Sequence, residues 1–285
     1  MNDAYDEFAI GGDMRVRRLG FGAMHVTGSR VWGHPTDRPA AVRLLRRAVE
    51  LGVNLLDTAD AYGPGVSELI IAEALHPYPS DLVIATKGGY TRPDANSWVP
   101  DGRPEHLREF CEASLARLRL ERIDLYQLHT PDPKVPIEES IGAIAELRAQ
   151  GKIRHIGVSN FSVEQIEAAR RIAPIVSVQN HYNLAYRESE PVVEYCTANG
   201  LGFIPFFPLG YGNLIRTGKR LREVAGRTGF TPSQVALAFL LMRSPVMLPI
   251  PGTSSVAHLE ENIGARGLML NAADYTALDR AGRSA

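Results

Sequence analysis

The chain has 285 residues and a mass of 31.2 kDa, a length that suits one α/β barrel of about 250 residues or two smaller domains. Lys and Arg number 31 against 32 Asp and Glu, and the formal net charge of -1 excludes a broad electrostatic grip on nucleic acid or an anionic membrane. With 45% hydrophobic and 22% charged residues the composition excludes a disordered chain, and no apolar run reaches the roughly 18 residues of a membrane span. The acidic start, MNDAYDEFAIGGD, lacks the apolar run of a signal peptide. Phe8–Ile10 and Met14–Val16 flank Gly11, Gly12 and Asp13, which predicts a small hairpin. Arg18–Gly22 reads as a strand. Pro39–Leu51 has helical apolar spacing and stops at Gly52. Short apolar runs then alternate with amphipathic ones. The strands are Val53–Asp57, Leu82–Thr86, Ile123–Leu128, Ile153–Val158, Ile175–Val178, Leu201–Ile204 and Val246–Ile250. The helices are Ser67–Leu75, Pro104–Leu118, Ile137–Gln150, a segment capped by Ser162 and running through Ile172, Glu190–Asn199, Thr231–Met242 and Ser255–Gly264. Asn271–Gly282 reads as a last helix.

Eight strands, each followed by helix, predict parallel strands with crossover helices closed into a (β/α)8 TIM barrel, with an N-terminal hairpin and a C-terminal extra helix. A doubly wound open sheet is the alternative. No motif recurs as in a solenoid, and no Pro/Gly-rich linker divides the chain, so residues 1–285 are read as a single barrel domain. Cys111 and Cys196 stand far apart, outside any metal or redox spacing, which suits a reducing cytoplasm. None of the eight histidines forms the zinc-protease spacing, so no metal is expected. Gly20-Phe21-Gly22 lacks the third glycine of a dinucleotide fingerprint, and the stretch from Asn213 to Arg220 is no P-loop.

The longest stretches without a pattern, Met24–Asp37, Gly88–Arg103 and Pro205–Gly218, each follow a strand. In a barrel they lie at the C-terminal face, where such enzymes place their sites. Asp57, Lys87 and His129 stand at the ends of neighbouring strands, and Tyr62 five residues past Asp57. Taken singly, the Asp is a turn cap, the Tyr a packing residue and the His a satisfied structural histidine. Together they converge on one patch. There Lys87 favours the Tyr62 phenolate, lowering its pKa, Asp57 holds Lys87, and His129 hydrogen-bonds a carbonyl oxygen or the phenol. Such a group donates a proton to a carbonyl as hydride arrives at carbon, which requires a cofactor site alongside.

At these residues the chain resembles the aldo-keto reductases. The motifs are GVNLLDTADAYG at 52–63, Lys87 after IAT, His129 after LYQL, GVSNF at 157–161, Gln179, and PGTSSVAHLEEN at 251–262. The resemblance implies Tyr62 as general acid, Lys87 and Asp57 tuning it, and His129 orienting the carbonyl. It implies carboxamide contacts from Ser159, Asn160 and Gln179, and ring stacking on Phe206. Leu209 and Gly210, with Pro208, fall at the pyrophosphate; Thr253, Ser254 and Ser255 fall at the adenosine phosphate, before a helix N-terminus that favours anions. Asn262 falls at the adenine, and Gly22, Met24, Asp57, Gly252, His258 and Glu261 complete the implied cofactor set. The plainer readings are helix capping for Ser159 and Asn160 and core packing for Phe206. Gly252 and His258 stand where many members of the family place a Lys and an Arg against the 2′-phosphate. Their absence weighs against a strong NADPH preference. NADP(H) is the expected cofactor, with NAD(H) the alternative.

Ala281–Ala285 close the chain at the end of the last helix, so no long C-terminal tail is expected over the pocket. Both tryptophans, Trp32 and Trp98, fall in the first two long loops with Tyr90 and Arg92, and aromatic walls suit a small planar carbonyl substrate. The alternative is that each Trp anchors its loop. FFPLG at 206–210 and IPGTSSVAHL at 250–259 resemble the bacterial pyridoxal reductases within the family, implying reduction of pyridoxal to pyridoxine. Two other classes compete: a Schiff-base aldolase using Lys87, and a regulatory subunit that binds cofactor without turnover.

Overall fold

A computed structural model describes residues 6–212 and 218–283. Seven parallel strands lie in sequence order in one sheet: Phe21–Gly22, Leu55–Asp57, Val83–Gly88, Ile123–Leu128, Ile153–Ser159, Ile175–Gln179 and Gly202–Phe203. The expected eighth strand, Val246–Ile250, is not a regular strand, yet it closes the circle. Phe203 N–H donates to Val246 O (2.8 Å) and Leu248 N–H to Phe203 O (2.7 Å), while on the far side Gly20 N–H donates to Pro249 O (2.9 Å). Pro249 has no N–H to give, so a continuous ladder cannot form there. The first strand is likewise shorter than expected. Arg18 N–H donates to Asp6 O (2.8 Å) and its guanidinium to Ser244 O (2.6 Å), and only Phe21–Gly22 pairs in the ladder. The result is the expected (β/α)8 barrel with its hairpin.

The helices between strands follow their sequence signals. Asp37 caps Arg38–Glu50, Ser162 and Thr231 form capping boxes with Gln165 and Gln234, and Ser255 caps Val256–Ile263. Lys219–Thr228, for which the sequence reading has no element, is also helical and buries Leu221, Val224 and Ala225. Ala272–Arg283 is the last helix. Two long loops hold structure of their own: short 3-10 turns at Ala23–Val26 and Ser29–Val31, and a two-stranded ribbon of Tyr90–Thr91 with Val99–Pro100. Residues 213–217, including Asn213 and part of the third long stretch, and residues 284–285 lie outside the described residues. Cys111 and Cys196 are buried and unbridged. Among the described residues no helix is long and apolar enough to cross a membrane.

Strand alternation places the site. Leu55, Val83, Ala85 and Leu125 share a buried cluster with Ile204, Leu248 and Ile250 inside the barrel, whereas Leu56, Ile84, Tyr126 and Leu128 pack outward under the helices. Because side chains alternate with period two, the inward column continues upward as Asp57, Lys87, Gln127 and Gln179. An apolar interior is thus topped by a polar layer at the C-terminal ends. The opposite end is closed by the hairpin Glu7–Ile10/Met14–Arg17, whose Ile10, Met14 and Val16 join the interior cluster.

Candidate functional site

Lys87 is the centre of the polar layer and is fully buried. Its Nζ donates to Asp57 Oδ1 (2.7 Å), to Thr58 O (2.7 Å) and to the Tyr62 hydroxyl (3.5 Å), so its three protons meet three acceptors. The second Asp57 oxygen accepts from Gln179 Nε2 at 2.7 Å and Gln127 Nε2 at 3.4 Å. A buried ion pair is stable only when its remaining groups are satisfied in this way. Tyr62 sits on the turn after Leu55–Asp57, and His129 directly after Ile123–Leu128, with ring centres 6.0 Å apart. All four expected residues therefore meet.

The electrostatics differ from the sequence expectation in one respect. Burial raises the Tyr62 pKa; Lys87 opposes this without reversing it, so the phenol is held neutral rather than pushed toward phenolate. Burial is the largest influence on the Lys87 ammonium and works against it, but Asp57 and Tyr62 together outweigh it and hold the Lys87 pKa above its ordinary value. Burial, with Lys87 nearby, pushes the His129 pKa far down, and its Nδ1 is buried without a partner among the described residues.

Two confluent cavities open above this layer, about 950 and 530 Å³ in volume. Tyr62, Gln179, Phe206 and Met24 line both. The larger also reaches His129, Ser159, Asn160, Ser254, Tyr90 and Trp98. The smaller runs past Gly22, Asp57, Pro208 and Leu209 to Gly252, Thr253, His258, Glu261 and Asn262. Gly210 begins the short turn beyond Leu209 and lines neither. Gly22 and Gly252 touch back to back: a Cβ on Gly252 would lie 2.7 Å from Gly22 O, so this wall is bare backbone. Ser162 caps the nearby helix, which leaves Ser159 and Asn160 outside the capping role. Asn160 holds a left-handed φ of 62°, and its amide nitrogen donates to His129 O at 3.0 Å. Trp32 is not in the cavity wall; it lies behind it, bridged to Gly63, while Trp98 faces in.

Among the groups that sequence reasoning passed over are Gln127, His25, Phe207 and Ser233. His25 and Phe207 line both cavities, and Ser233 lines the smaller. For Gln127 the signal was present, since it shares strand parity with Leu125 and precedes His129 by two. The others sit in irregular loops or at a helix start, where no period marks a direction.

Residues 18–283 match the model of the aldo/keto reductase family. The chain is 48% identical over 273 residues to an uncharacterized oxidoreductase of Schizosaccharomyces pombe, covering 96% of this chain and 89% of that one. It is 44% identical over 275 residues to pyridoxine 4-dehydrogenase of Escherichia coli, covering 94% and 96%. Among solved structures, an aldo/keto reductase from Klebsiella pneumoniae in complex with NADP and acetate superposes with a TM-score of 0.84 at 26% identity, covering 96% and 94%. With a parallel barrel whose C-terminal mouth gathers Asp57, Tyr62, Lys87 and His129, and a family match over nearly its whole length, this chain belongs to the aldo/keto reductase family of oxidoreductases.

Proposed function

We propose that this enzyme reduces a small planar aldehyde to its alcohol with NADPH, with pyridoxal as the leading substrate and Tyr62 as proton donor. The observation that carries the reading is the buried Lys87, 2.7 Å from Asp57 and 3.5 Å from the Tyr62 hydroxyl, beneath the junction of two cavities. The relative named pyridoxine 4-dehydrogenase supports the substrate, and the NADP complex of the Klebsiella pneumoniae structure supports the cofactor.

The smaller cavity suits a dinucleotide by its donor set. Its Gln179 amide and the flat Phe206 lie where it meets the larger cavity, which adds Ser159, Asn160 and Ser254, and its far end has glycine backbone and Thr253 before a capped helix start. Those residues would hold the carboxamide, the nicotinamide ring and the phosphates, with Leu209 and Gly210 at the pyrophosphate and Asn262 at the adenine. When bound, NADPH supplies the hydride for the substrate carbonyl carbon.

The chain's own part is the proton. Tyr62, kept neutral by burial, gives its hydroxyl proton to the carbonyl oxygen, and the Lys87 ammonium stabilises the phenolate left behind. Asp57 keeps Lys87 charged and pointed at Tyr62. His129, whose low pKa keeps it neutral, offers a ring N–H to the carbonyl oxygen. The competing aldolase reading needs Lys87 as a free amine, and an ammonium paired with Asp57 in a sealed layer is a poor nucleophile.

The test is NADPH oxidation with a panel of small aldehydes including pyridoxal, run on wild type and Tyr62→Phe. Wild type turns over; Tyr62→Phe loses about 10²–10⁴-fold in kcat with cofactor affinity retained. A Tyr62→Phe enzyme keeping most of its kcat would refute the assignment. Absence of any turnover in wild type would favour the regulatory alternative.

A further inference from the structure

The larger cavity is walled by the two loops that carry the tryptophans, and one side chain joins them. Arg92 is only 8% exposed. Its guanidinium has five N–H groups, and all five meet main-chain carbonyls. Nε donates to Ser97 O (2.9 Å), Nη1 to Ala61 O (3.1 Å) and Val31 O (3.3 Å), and Nη2 to Ala95 O (3.2 Å) and Arg30 O (3.4 Å). These acceptors come from three separate segments: the first long loop, the Tyr62 turn and the ribbon loop. Ala61 O belongs to the peptide that ends at the Tyr62 nitrogen. Arg30 and Val31 hold left-handed φ values of 59° and 57°, unfavourable for a β-branched valine, so their carbonyls are held in place by the surroundings. The Arg92 guanidinium carbon also lies 3.7 Å from the centre of the Trp98 ring and 5.4 Å from that of Trp32. Trp98 in turn stands edge-on to Tyr62, Tyr90 and His129 at ring-centre distances of 6.3, 5.6 and 6.2 Å.

We propose that Arg92 is a specificity-determining positioning residue: it fixes Trp98 as the aromatic wall over Tyr62 and so sets the preference for flat ring aldehydes over short aliphatic ones. The inference rests on the carbonyl-reductase reading above. Arg92 does not line the cavity and touches no reacting group; it acts through the loops. A lysine cannot replace it, because an ammonium has three donors and no planar fork to span three segments.

The test uses Arg92→Met and Arg92→Lys in the full chain. Trp32 and Trp98 are the only tryptophans, so indole fluorescence reports on these loops without any turnover. Both variants are expected to show red-shifted emission and stronger acrylamide quenching at unchanged far-UV circular dichroism. In kinetics, KM for an aromatic aldehyde rises up to about tenfold and that for propanal by less than about twofold, because only a ring loses the stacking contact. The NADPH Kd, read by cofactor fluorescence, stays constant. Wild-type emission and quenching in Arg92→Met would overturn the proposal, and so would an equal KM rise for both aldehydes. Should Arg92→Met fail to fold, Arg92→Lys decides: wild-type emission with a wild-type substrate ratio overturns the proposal, and altered values of both uphold it. If wild type reduces no aldehyde, the reductase reading fails, and the fluorescence arm still decides whether Arg92 holds the wall.

Discussion

Lys87 has two tasks that a single substitution separates. It neutralises a buried carboxylate, and it works against the burial that raises the Tyr62 pKa. Lys87→Met leaves Asp57 without its cation, and breaking one side of a buried pair costs about 3–5 kcal/mol. The urea midpoint is expected to drop accordingly, and Asp57→Asn/Lys87→Met to recover part of the loss. Turnover collapses in both variants. In Lys87→Met the Tyr62 phenol loses the ammonium that favours phenolate, so the basic limb of the residual pH–rate profile moves to higher pH. The pH dependence of stability has a definite sign. The folded pKa of Lys87 lies above its ordinary 10.5, so its contribution is complete below about pH 10.5 and is lost as pH rises through the folded value. The raised pKa of Tyr62 acts in the same direction from about pH 10 upward. Wild type should therefore lose stability in strong base more steeply than the double variant. An unshifted rate profile and an unchanged midpoint in Lys87→Met would mean that Lys87 neither tunes nor pairs.

At the scale of elements, on the proposed cofactor reading the helix Val256–Ile263 sets the choice between NADPH and NADH. His258 lines the smaller cavity from the first turn, and an imidazole lacks the planar fork with which a guanidinium grips a phosphate. His258→Arg is expected to tighten NADPH by about 10–100-fold, the worth of a charged hydrogen bond, and to leave NADH nearly unchanged in fluorescence titration. Equal tightening of both would show that position 258 does not face the 2′ phosphate. Gly252 gives no such opportunity, because any side chain there runs into Gly22 O. The same elements show what a sequence can and cannot reveal. Ser162, Thr231 and Ser255 marked their helix starts because capping is local chemistry. Asp57, Lys87 and His129 were visible because each ends an apolar strand. The irregular closure at Val246–Ile250 had its signal in Pro249, which cannot make a ladder hydrogen bond, but the apolar run around it reads as an ordinary strand. Trp32 was misplaced for a related reason. Composition puts both tryptophans in the loops, but only the fold of those loops around Arg92 turns one in and sets the other behind. The net pKa of Tyr62 also escaped, because burial is not written in the motif.

Across the whole molecule, stability and chemistry occupy opposite ends of one barrel. The polar layer and both cavities lie at the C-terminal ends of the strands, and the hairpin seals the N-terminal ends. The seal is tight: Gly11, at φ 64°, lies so close to His155 that a Cβ would approach its ring to 2.5 Å, and Asp13 Oδ1 pairs with His155 Nε2 at 2.6 Å. Met14 is 2% exposed and reaches into the interior cluster with Leu55, Val83 and Leu125. Truncating it removes buried apolar volume that the closed barrel cannot refill, so Met14→Ala should cost about 2–5 kcal/mol in urea unfolding. Between Met14 and Tyr62 stands the packed interior of the barrel, whose side chains have one arrangement rather than a soft continuum. The kcat and KM of the folded Met14→Ala enzyme should therefore match wild type at temperatures below its unfolding transition. A fall in kcat under those conditions, with circular dichroism intact, would show that the floor of the barrel sets the geometry of Lys87 and Tyr62, and that the two ends of the fold are not independent.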